Sequence, residues 1–141
     1  MNIEKIFLNQ QFQNQKEVFQ FLGTEMKMLA VVSDEKKFIS AVEERESQST
    51  TGLVNGFAIP HGKSSSIEKA MVIYIRNEQG IEWNSLDGSL VTDIFALAIP
   101  EAASEEHLNT LISISTNLMD DSVCERLRKT NSEDEIRAIF E

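Results

Sequence analysis

Several residue types are scarce in this sequence, and each scarcity excludes something. One cysteine, Cys124, occurs in 141 residues, which rules out an intramolecular disulfide and a thiolate zinc cluster. Lys and Arg number 13 against 23 Asp and Glu, for a net charge of −10. Phosphate backbones and anionic bilayers are bound by clustered cations, so neither nucleic acid nor an anionic membrane surface is an expected partner. No apolar run approaches the ~20 residues that cross a bilayer. Residues 1–10 lack the basic region and apolar block of a signal peptide. No Walker-type glycine loop and no dinucleotide fingerprint occurs, so the sequence offers no nucleotide site. Repeats and low-complexity tracts are missing as well. The remainder, 41% hydrophobic and 26% charged, reads as one cytoplasmic domain over residues 1–141 with enough chain to bury a core.

The apolar pattern changes along the chain. Val18, Phe21, Leu22, Met26 and Leu29 fall at helical spacing, with Asn14 as cap and Glu17 three residues later. A second helix is expected over about 33–46, capped by Ser33 and turned inward through Phe38, Ile39 and Val42. The two prolines then punctuate the middle. Phe57-Ala58-Ile59 stops at Pro60, and the run 91–99 stops at Pro100. With the β-branched segment 70–75 these read as buried strands, and Asp87-Gly88 reads as a turn. The last third is helical again. Ser104 is the expected cap of a helix facing inward through Leu108, Leu111, Ile112, Ser115 and Leu118. Ser122 to Glu125 and Ser132 to Glu135 both match the capping-box pattern. Helices, strands, then helices imply an α/β three-layer sandwich, a central mixed sheet flanked by helices.

Only two histidines are present. His61 sits in Ala58-Ile59-Pro60-His61-Gly62-Lys63, where the proline is expected to end a strand and Gly62 to permit unusual dihedrals or close approach. An imidazole presented at a strand end is a candidate nucleophile, neutral in good part near pH 7. An exposed turn histidine without a role is the alternative. His107 falls in the first turn after Ser104, where free amides favour anions and the ring can donate to a phosphoryl group. The alternative is a solvated helix residue. The two are too far apart in sequence for a helical zinc motif, so no metal is expected. Arg45 lies among Glu43, Glu44 and Glu46. It is either a solvated helix end or a planar fork for a phosphoryl group. Hydroxyls of Ser64, Ser65 and Ser66 are either phosphate donors or a polar loop. Cys124, beside Val123 and Leu127, reads as packing.

The ordered set Arg45-Glu46, Thr51-Gly52-Leu53, Asn55 to Lys63, Gly80-Ile81-Glu82-Trp83, Leu86-Asp87-Gly88, Ala98-Ile99-Pro100 and His107-Leu108 resembles the enzyme IIA components of the bacterial phosphoenolpyruvate-dependent sugar phosphotransferase system, fructose/mannitol family. Trp83 with Asp87-Gly88 leans toward the fructose-type branch. Asn9-Gln10-Gln11-Phe12 matches only loosely.

The resemblance implies a phosphocarrier without a cofactor. His61 would be the phosphorylated nucleophile, linked through Nε2. It would take its phosphoryl group from the phosphohistidine of HPr and pass it to a cognate enzyme IIB, usually onto a cysteine. The membrane-bound IIC would be served indirectly. His107 would assist phosphoryl transfer and Arg45 would stabilise the phosphoryl group. With no IIB or IIC segment in the sequence, the partners would be separate chains. Phe57 and Ile59 would be either a greasy docking rim or core, and the acidic net charge favours a basic partner face. The alternative within the resemblance is a nitrogen-type regulatory enzyme IIA, which controls partner proteins according to its phosphorylation state.

Overall fold

The computed structural model describes residues 2–102 and 105–141. In chain order the elements are β1 (Lys5–Gln10), α1 (Gln15–Met28), α2 (Glu35–Gln48), β2 (Phe57–Ala58), β3 (His61–Ser64), β4 (Met71–Ile81), β5 (Val91–Pro100), α3 (Glu105–Asn117), α4 (Asp121–Lys129) and α5 (Glu133–Ile139). The strands form one mixed sheet in the order β1-β4-β5-β2, with β3 also on β5. β4 and β5 are antiparallel, while β1 runs parallel to β4 and both β2 and β3 run parallel to β5.

The long apolar strands are apolar on both faces because both faces are covered. Side chains alternate across a strand. Ile73, Ile75, Ile94, Ala96 and Ala98 therefore pack with Val18, Leu22, Met26, Phe38 and Val42 of α1 and α2. Their neighbours Val72, Tyr74, Phe95, Leu97 and Ile99 pack on the opposite face with Ile114, Leu127, Ile136 and Phe140 of the C-terminal segment. This is the expected three-layer sandwich with a mixed central sheet.

Helix starts follow the side-chain oxygens available to them. Asn14 accepts the Glu17 amide at 2.9 Å, and the Glu17 carboxylate accepts the Gln13 amide at 2.7 Å, so α1 begins as expected. Ser132 likewise caps α5 through the Glu135 amide. Two expected caps shift to a neighbouring aspartate, whose carboxylate is the stronger acceptor for amides at the positive end of the helix dipole. α2 is capped by Asp34, which accepts from Lys36 and Lys37. Ser33 instead donates to the Ser66 carbonyl. α4 is capped by Asp120, which accepts both the amide and the hydroxyl of Ser122. The expected cap Ser104 lies outside the described residues.

Two further expectations are corrected. β1 precedes the first helix, where no strand is expected. Its inward signal is thin, since only Ile6 of Lys5–Gln10 is fully buried. On α3 the inward residues are Ile114 and, just past its end, Leu118, with Leu111 and Ser115 half-buried. Leu108 and Ile112 stay 52% and 61% exposed.

Candidate functional site

His61 lies inside an interrupted edge strand. β2 pairs Phe57 with Asp93 and Ala58 with Ile94, and β3 resumes with His61 opposite Leu97 in the same register. Pro60 has no amide to give, yet its carbonyl still accepts the Leu97 amide at 3.0 Å. The proline thus interrupts the strand without ending it. Gly62 is outside the left-handed region; among the described residues the positive-φ glycines are Gly56 and Gly88. Its lack of a side chain serves packing instead. A Cβ there would lie 2.9 Å from Val42 Cγ2 and 3.3 Å from the Val42 backbone nitrogen. The close approach is therefore by α2.

The half-buried His61 has its Nδ1 2.8 Å from the Ile59 carbonyl oxygen. A carbonyl only accepts, so Nδ1 carries the proton and Nε2 keeps the lone pair. Burial, and secondarily the positive charge of Arg45, hold the imidazole pKa below its usual 6.5. The Ile59 carbonyl and Glu46 act in the opposite direction. Near neutral pH the ring is a neutral base with Nε2 available.

His61 opens on a groove of about 400 Å³ between α2 and α3, lined also by Glu44, Arg45, Lys63, Ile99, Leu108 and Leu111. Arg45 is on the last turn of α2, where its Nη1 donates to the Ser49 carbonyl at 2.7 Å. The rest of its five-donor fork remains for a ligand in the groove. Lys63 was not singled out by sequence reasoning. Its position two residues after His61 on a strand is the signal, because i and i+2 share a face.

His107 is not in this groove. It lines the adjoining cavity of about 630 Å³ with Glu4, Glu106 and Thr110, and the two hollows meet at Ile99, which lines both. The serine loop contributes nothing to the groove lining. Ser64 and Ser66 bond each other at 2.6 Å, and the Ser66 amide donates to Ser64 Oγ. The greasy rim is also reassigned. Phe57 and Ile59 are core residues, 0% and 7% exposed, while α3 supplies the exposed apolar surface beside the groove through Leu108 and Ile112. Cys124 is buried with its thiol toward the Leu118 carbonyl, and burial pushes that thiol up. Among the described residues no group of three or more His, Cys, Asp or Glu is arranged to hold a metal ion. No helix among them is long and apolar enough to cross a membrane.

The groove of this small α/β domain thus sets a neutral histidine, its Nδ1 held by a carbonyl at a sheet edge, beside two cations. The family model described as phosphoenolpyruvate-dependent sugar phosphotransferase system, EIIA 2, matches residues 1–141. The chain belongs to that family of phosphocarriers. It is 33% identical over 131 residues to the fructose-specific EIIABC component of the phosphotransferase system of Bacillus subtilis (strain 168), covering 93% of this chain and 21% of that protein. The chain thus spans about a fifth of that relative's length. The crystal structure of nitrogen regulatory protein IIA-Ntr from Neisseria meningitidis superposes with a TM-score of 0.88 at 28% identity, covering 97% of this chain and 92% of that one. Enzyme IIAMTL in its complex with phosphorylated enzyme IIBMTL from Escherichia coli shares the fold, with a TM-score of 0.80 at 24% identity over 99% and 96% of the two chains. Both sugar-specific and nitrogen-regulatory proteins are therefore among the chain's relatives.

Proposed function

We propose that this chain is a cytoplasmic phosphocarrier, one domain over residues 1–141, that accepts a phosphoryl group from phospho-HPr on His61 and passes it to a cognate enzyme IIB for coupled sugar uptake and phosphorylation. The observation that carries this reading is the Nδ1–H of His61 on the Ile59 carbonyl, which leaves Nε2 as the nucleophile in a groove holding Arg45 and Lys63. In the forward step the Nε2 lone pair forms the new P–N bond while the donor's P–N bond breaks and its electron pair returns to the donor ring. Loss of the Nε2 lone pair leaves imidazolium character on His61, which the Ile59 carbonyl stabilises through Nδ1–H. Arg45 and Lys63 balance the phosphoryl oxygens, a role fixed donors fill without reorganisation. His107 assists from the adjoining cavity. The exposed Leu108 and Ile112 supply a modest apolar contact, suited to partners that must dock in turn and leave. IIBMTL is the partner of the Escherichia coli enzyme IIAMTL, and a cognate IIB is the expected acceptor here.

The test is incubation with phosphoenolpyruvate, enzyme I and HPr. Wild type takes up acid-labile phosphate, His61→Ala takes up none, and His107→Ala labels but passes the group on more slowly. Equal labelling of the His61→Ala variant sinks the assignment.

A nitrogen-type regulatory role is the second reading, favoured by the superposition on IIA-Ntr from Neisseria meningitidis. The Trp83 and Asp87-Gly88 pattern weighs toward the fructose-type branch. Transfer from the labelled protein to candidate IIB proteins supports transport. Binding to other proteins that switches with phosphorylation, without transfer to any IIB, supports regulation.

A further inference from the structure

The Ile59 carbonyl that fixes the His61 proton is itself held in place from a distance. Glu46 stands beside Arg45 at the end of α2 and is half-buried. Its carboxylate accepts the Thr51 amide at 2.7 Å and the Thr51 hydroxyl at 2.5 Å. Thr51 is 2% exposed, and its hydroxyl oxygen also accepts the Trp83 indole N–H at 3.1 Å. The Thr51 carbonyl accepts the Ile59 amide at 3.0 Å, and the Ile59 carbonyl then accepts His61 Nδ1–H at 2.8 Å. Both peptide groups of Ile59 are thus committed away from the β5 ladder. Next to it, Pro60 has no N–H with which to brace this turn of chain. A two-point contact from the Glu46 carboxylate to a buried threonine therefore ties the chain before Ile59 back to α2.

We propose that Glu46 is a positioning residue for phosphoryl transfer: through Thr51 and Ile59 it fixes the carbonyl that keeps the proton of His61 on Nδ1, and so keeps Nε2 the nucleophile. This rests on the reading of His61 as the phosphoryl acceptor. A neutral imidazole has two tautomers, and the hydrogen bond at one nitrogen selects between them. Without the clamp the carbonyl shifts, part of the population places its proton on Nε2, and that part cannot attack phosphorus.

The readout is the ¹⁵N spectrum of the His61 ring in the unphosphorylated protein, at a pH where the ring is neutral, alongside the rate of labelling by phospho-HPr. Wild type shows the Nδ1–H tautomer. Glu46→Ala shows a mixture of tautomers and labels about tenfold more slowly, the scale of loss expected for a modest misplacement. Thr51→Val, which keeps the amide but loses the hydroxyl, falls between the two, and Thr51→Ser restores the wild-type spectrum. If Glu46→Ala does not fold, Glu46→Gln and Thr51→Val carry the test, each giving a partial shift toward the second tautomer. An unchanged Nδ1–H tautomer in a folded Glu46 variant overturns the proposal, whether or not labelling slows. A shifted tautomer in that variant, with a wild type that takes no phosphate, upholds the clamp and overturns the phosphocarrier reading instead.

Discussion

β5 meets charge at both ends, and the two ends treat it in opposite ways. At the Asp93 end, two arginines, an aspartate and a tyrosine are closed on one another. Asp93 is 2% exposed. It accepts the Tyr74 hydroxyl and lies 3.8 Å from Arg76 Nε and 3.4 Å from Arg128 Nη2. Arg76 spends its other donors on the end of α4, at the carbonyls of Leu127 and Thr130. Arg128 lies 4.3 Å over the ring of Phe57. Burial, with Asp93 beside it, drives the Tyr74 hydroxyl far above its ordinary range, so it stays protonated and donates to Asp93 while its oxygen accepts from Arg76 Nε at 3.1 Å. At the Leu97 to Ile99 end, Arg45, Lys63 and the His61 lone pair face an open groove. Arg76, with Nε, Nη1 and Nη2 all engaged on Tyr74 and the end of α4, holds that helix to the sheet. A cation with donors to spare beside a neutral base can receive something from outside.

Substitutions at the two ends should therefore separate stability from transfer. The largest effect on stability is expected at the closed end. Asp93→Ala leaves two arginines and a buried phenol without their shared acceptor, and costs about 3 kcal/mol or more. A denaturant titration should show that loss as a lowered midpoint, while the labelling rate per folded molecule stays at the wild-type value. An equal loss of labelling would mean that the two ends are coupled. At the open end, Arg45→Ala should barely move the unfolding midpoint but slow labelling about a hundredfold, as loss of one donor to a transferring group does. The smallest effect is on the pH profile. Nε2 attacks only from the neutral ring, and the His61 pKa lies below 6.5. Labelling should thus stay flat as pH falls to about 6.5 and decline only below it. Arg45 is one cause of the depression, so Arg45→Ala moves that decline to higher pH. A decline at the same pH in both proteins would contradict the electrostatic link.

The open end was the more legible in the sequence. Arg45 and the Pro60-His61-Gly62-Lys63 string carry rare residue types in a fixed order, and the structure brings Arg45 and His61 to one groove. The relation of His107 to that groove depends on how α3 docks, which no spacing encodes. The closed end was not singled out at all, because Tyr74, Arg76, Asp93 and Arg128 become neighbours only through the antiparallel register of β4 on β5 and the packing of α4. The capping errors were local contests. Asp34 stands next to Ser33 and Asp120 near Ser122, and the carboxylate won each time. β1 was missed because an edge strand needs few buried side chains. Leu108 and Ile112 broke the apolar-inward rule at the place where a docking partner would cover them.

A sheet edge is ordinarily where a second chain can add itself as a strand, through unpaired backbone donors and acceptors. Pro60 cuts this edge into pieces of two and four residues, Phe57–Ala58 and His61–Ser64. Gly52 bridges to Ala58 across the shorter one, and the outward amide of Ile59 is taken by Thr51. Neither piece is long enough to template a β-ribbon. The same proline that interrupts the strand just before His61 therefore also guards the edge against strand-to-strand aggregation, leaving it to be approached by side chains.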